Sequence, residues 1–62
     1  MATEKQVSYI LSLADKKGLS TRFMNSTWKP YATMRERSGT VTAFLEGLSN
    51  HQASKLIDAL KG

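Results

Sequence analysis

Two stretches of the chain carry the same design, and this repeat constrains the fold more than any other feature. In the first, Thr3 and Gln6 have capping-box spacing, in which each side chain bonds a free backbone N–H of a helix's first turn. Val7, Ile10, Leu11 and Ala14 follow at i, i+3, i+4 and i+7, one face of a helix, and Leu13 widens the stripe. Lys16 and Lys17 suit the negative end of the helix dipole, and Gly18 suits the left-handed position that stops a helix. In the second stretch Ser49 and Gln52 repeat the cap, and Ala53, Leu56, Ile57 and Leu60 repeat the stripe. Counted from the cap residue, both place apolar residues at +4, +7, +8 and +11. Any capped amphipathic helix has this form, and an internal duplication is the other way to arrive at it. Either way, each helix offers one apolar face that needs cover.

Little else is present to stabilise such a pair. The chain has 62 residues, no cysteine and one histidine, so no disulfide and no Cys/His zinc site can staple it. A domain of this size needs well-packed helices or a partner chain. A hydrophobic share of 40% is enough for a core and too high for a typical disordered chain. An enzyme pocket with its own walls does not fit in this length. No stretch approaches the roughly 20 apolar residues of a membrane span, and the apolar-leaning run at Tyr9–Ala14 is broken by Ser12. The expectation is a cytoplasmic protein without a membrane partner, folded as a single helical domain over 1–62.

The middle of the chain must supply the cover. Thr40 is positioned to cap a short helix carrying Val41, Phe44, Leu45 and Leu48, and Leu48-Ser49-Asn50 then makes a sharp corner. Ser20 or Thr21 is positioned to cap another through Phe23 and Met24. Pro30 is tolerated only in a first turn, so Trp28–Met34 reads either as a second short helix starting near Pro30 or as an irregular loop. Strand signals are weak, Val41–Phe44 being the only β-prone run. The fold expected is all-α: a compact bundle of four to five mostly short helices, the long first and last ones packed through a short middle helix.

Charge is concentrated in the same middle region. Residues 16–37 hold Lys16, Lys17, Arg22, Lys29, Arg35 and Arg37 against Glu36 alone, a net +5 in a chain whose total is +4. Phe23, Trp28 and Tyr31 lie among them. Cations interleaved with aromatics suit phosphate neutralisation with base stacking, and equally a solvated basic face over an aromatic core. Arg35 to Thr40 places two arginines, Gly39 and two hydroxyls before a helix start, an arrangement fit for an anion. Against this, Glu36 is free to pair with an arginine and the hydroxyls are free to act as plain caps.

One constellation is sharper. Ala14, Gly18, Leu19, Ser20 and Met24 match the small, glycine, apolar, cap and anchor positions of a helix-turn-helix. Its recognition helix would run from Thr21 to about Trp28, with Arg22, Asn25, Ser26 and Lys29 facing a groove. Lys17 and Thr27 depart from the pattern, where apolar residues are expected, and an ordinary helical corner has the same signature. Chemistry is poorly supported: His51 has no histidine or cysteine partner, Glu46 and Asp58 lie on different helices, and the glycines form no phosphate loop. No catalytic residue, metal ligand or cofactor is expected.

Three blocks carry a resemblance: Ala2–Gln6 with Tyr9-Ile10, then Ser20–Met24 with Met34–Val41, and Ala53–Leu60. Together they resemble a group of small uncharacterised helical proteins of actinobacteria and their phages. The outer two also look like a short helical module attached to phage DNA-metabolism and recombination proteins. The resemblance implies a helical fold, a phage-like or mobile-element setting and, by association only, work on DNA. Pro30 stands where it implies a helix-compatible residue, which predicts a broken middle helix.

The functional expectation is a non-enzymatic module binding nucleic acid, DNA first, through the six cations of 16–37. The alternative is a protein-interaction module or phage-type modulator of a host protein using Trp28 and Tyr31, residue types enriched at interface hot spots. A homodimer is a third expectation, because the core candidates are few.

Overall fold

The computed structural model describes residues 1–62. It contains α1 (Glu4–Lys16), a 3₁₀ turn η1 (Ser26–Trp28), α2 (Val41–Glu46) and α3 (Asn50–Lys61). The protein is helical and has no strands, only one isolated antiparallel bridge between Phe23 and Thr40. Its Cα radius of gyration is 10.2 Å, close to the roughly 10.6 Å expected of a compact chain this long.

Both long helices start as their sequences dictate. The Thr3 hydroxyl accepts from Gln6 N at 3.1 Å, and Gln6 Oε1 accepts from Thr3 N at 3.0 Å. Ser49 and Gln52 reproduce the pair at 3.1 and 3.0 Å. The two starts meet at one corner, where Ala2 N donates to Leu48 O at 2.6 Å and Gln6 Nε2 donates to Asn50 O at 3.4 Å. Buried positions also match: Val7, Ile10 and Ala14 on α1, Ala53, Leu56 and Leu60 on α3. These are +4, +7 and +11 from each cap, while the +8 residues, Leu11 and Ile57, are half-buried.

The end of α1 is a Schellman motif. Gly18 N donates to Asp15 O at 3.1 Å and Leu19 N to Ala14 O at 2.9 Å, with Gly18 at φ +80°. Leu19 is half-buried against the core, the apolar contact that accompanies such an end.

Beyond Gly18 the chain departs from expectation. No α-helix runs from Thr21 to Trp28, so Ala14–Met24 is not a helix-turn-helix. Ser20 does not cap a helix: its hydroxyl donates to Phe23 O at 2.6 Å. Asn25 Oδ1 accepts from Thr27 N at 2.9 Å and also from the Thr27 hydroxyl. That hydroxyl in turn accepts from Ser20 N at 3.0 Å. Side chains that compete this well with backbone partners favour turns over helices. Met24 N donates to Gly39 O and Val41 N to Arg22 O, both at 2.9 Å, which holds 22–24 extended against 39–41.

Pro30 interrupts the turns around η1. Trp28 N donates to Asn25 O, Lys29 N to Ser26 O and Tyr31 N to Trp28 O. The missing member of this run is residue 30, which has no N–H to give. The extra helices expected in 20–37 are therefore turns, and three α-helices with one 3₁₀ turn replace the four to five of the sequence reading. The long helices also touch each other directly instead of through a middle helix. Cover comes from the loop, which contributes buried Met24, Trp28 and Ala32, and from Val41 and Leu45 of α2.

Candidate nucleic-acid interface

The six cations occupy the end of α1 and the loop beyond it. Lys16 is the last residue of α1 and Lys17 its C-cap, at the negative end of the helix dipole. Arg22 lies on the bridged segment, and Lys29 caps η1. Arg35 and Arg37 flank Glu36 on a single turn that starts at Thr33. Five of the six are exposed, and Arg37 is half-buried.

Glu36 is already engaged. Its Oε1 accepts from Thr33 N at 2.9 Å, and Thr33 Oγ1 accepts from Glu36 N at 3.3 Å, a third capping box. The one acid of the segment is thus tied to the backbone. The side-chain hydrogen bonds of the protein join hydroxyls, amides, Glu36 and an indole to nearby partners, and none uses a lysine or arginine side chain.

The aromatics separate into core and surface. Trp28 is 0% exposed. Its Nε1 donates to Ser20 O at 2.8 Å, and its ring meets Tyr31 and Phe44 edge-on with centroids 6.2 and 6.1 Å apart. Trp28 therefore cannot offer a contact surface to a partner, which corrects its assignment as an interaction aromatic: a small core takes its largest side chain first. Tyr31 is half-buried beside it. A groove of about 330 Å³ runs along Tyr31, walled by Pro30, Leu48, Lys55 and Leu56. Phe23, which the sequence placed among the cations but not among the interaction aromatics, is 61% exposed, and Met34 is 82% exposed.

Phe23 points outward because of backbone pairing. The bonds from Met24 N and Val41 N flank Phe23 and Thr40, so these two form a non-hydrogen-bonded antiparallel pair, with side chains close on one face. Side chains alternate along extended backbone. Met24 and Val41, one residue on, are buried, which leaves the outer face to Phe23 and Thr40. The available sequence signal was the fixed inward demand of Met24 and Val41, legible only once their pairing was known.

The anion site read at Arg35–Thr40 is not built. The Thr40 hydroxyl accepts from Ala43 N at 3.1 Å, the Ser38 hydroxyl donates to Arg35 O, and the helix they precede has only six residues. Asn25, expected to read a groove, caps η1 instead. No three His, Cys, Asp or Glu side chains gather where a metal could bind. No buried side-chain N or O lacks a hydrogen-bond partner. No helix is long and apolar enough to cross a membrane.

No protein-family model matches the chain, and neither a curated protein nor a solved structure matches it.

Proposed function

We propose that this protein is a small non-enzymatic module that binds nucleic acid through the phosphate backbone, in a phage-like or mobile-element setting. Lys16, Lys17, Arg22, Lys29 and Arg35 make the phosphate contacts, with Arg37 at the margin. One observation carries the reading: these cations are exposed and unspent on internal bonds while Glu36, the sole acid among them, is committed to the Thr33 turn. A solvated basic face carries no cost of this kind, but a +5 segment bounded by nearly neutral helices is a concentrated field. With no groove-reading helix, the binding expected is backbone-directed and tolerant of sequence.

The test is a salt titration of oligonucleotide binding. Log affinity should fall linearly with log salt, with a slope near −0.9 per phosphate neutralised on duplex and about −0.7 on a single strand. Failure to bind any oligonucleotide at low salt overturns the proposal. The protein-interaction reading is weakened by the burial of Trp28, which removes the stronger of its two anchors.

A further inference from the structure

We infer that Phe23 is a base-stacking residue and that the nucleic acid engaged is single-stranded. This inference rests on the phosphate-binding reading and deepens it. Three observations converge. Phe23 is 61% exposed, so its ring is open to a ligand. Its outward direction is fixed by the bridge to Thr40, with Met24 and Val41 buried on the opposite side, so no rotation brings the ring into the core. It lies within the +5 segment, with exposed Arg22 next to it in the chain.

A rigidly held aromatic within a basic segment is the combination by which single strands are gripped, a ring under a base with charge along the backbone. Duplex bases are stacked on one another and offer no free face, so the ring gains nothing there. Charge complementarity favours this occupant over a second copy of this chain, since two +5 segments repel each other.

The experiment compares a short oligothymidylate with a duplex of equal length at low salt, using the wild type, Phe23→Ala and Phe23→Leu. Wild type should prefer the single strand. Phe23→Ala should weaken single-strand binding about 5- to 150-fold and leave duplex binding and both salt slopes unchanged. Phe23→Leu keeps apolar bulk without a π face and should lose nearly as much. Undiminished single-strand binding by Phe23→Ala or Phe23→Leu overturns the stacking role and leaves phosphate binding standing. A wild type that binds neither form overturns both. A change in sedimentation of Phe23→Ala, with binding intact, overturns the inference by making Phe23 a contact between copies.

Discussion

Trp28 holds the fold at the scale of one residue. Its indole ties the loop to Ser20 O, and its ring joins Tyr31 to Phe44 of α2. Replacing a buried tryptophan with alanine costs roughly 3–5 kcal/mol. A chain of this length has about 3–9 kcal/mol in total. Trp28→Ala is therefore expected to be largely unfolded by circular dichroism at room temperature. Trp28→Phe, which loses the bond to Ser20 O but keeps most of the packing, should stay folded with a lowered Tm. Gly39 illustrates a purely conformational demand: at φ +83° an added Cβ would meet nothing within 4 Å. Gly39→Ala should still destabilise by about 1 kcal/mol through backbone strain, read in urea. Glu36→Gln separates cap from charge. The amide oxygen still accepts from Thr33 N, while a negative charge near the arginines disappears. At about 6 Å in water that charge is worth ~0.7 kcal/mol, so oligonucleotide affinity should rise about threefold with little change in stability.

Elements differ in how far sequence specifies them. Both long helices were legible because every signal they use is local: cap, stripe, basic last turn, and for α1 a stop glycine. The burial at +4, +7 and +11 follows from spacing alone. The loop from Leu19 to Thr40 was not legible, because its conformation rests on partners distant in sequence. Gly39 and Val41 pair with Met24 and Arg22, and Ser20 is bonded by Thr27 and Trp28. Met24, Trp28 and Ala32 are spaced four apart like a helical stripe, yet they are buried from an extended segment, a 3₁₀ turn and a bend. Thr33-x-x-Glu36 had capping spacing in plain view, although it starts only a single turn. As for the site, the six cations were legible from composition and position, whereas which aromatic reaches solvent depended on pairing. The two long-helix caps give an element-scale prediction. Thr3→Ala and Ser49→Ala should each cost ~1 kcal/mol, or about 4–8 °C in Tm for a domain this small. Because Gln6 bonds Asn50 O across the shared corner, the double variant should depart from additivity.

At the scale of the whole molecule, charge and size set what binding is attainable. The longest dimension is 23 Å, which spans about seven nucleotides of one strand at 3.4 Å each. A ligand of that length offers few phosphates, so affinity comes from several modest electrostatic contacts and collapses in salt. The claim that the basic segment, and not net charge in general, does the binding is tested most directly by salt slopes of charge-removing variants. Arg22→Ala, Lys29→Ala and Arg35→Ala should each make the slope shallower by about 0.7–0.9, with Lys5→Ala and Lys61→Ala, equally cationic but outside 16–37, leaving it unchanged. Equal effects from all five substitutions, or a slope near zero in the wild type, would contradict the account.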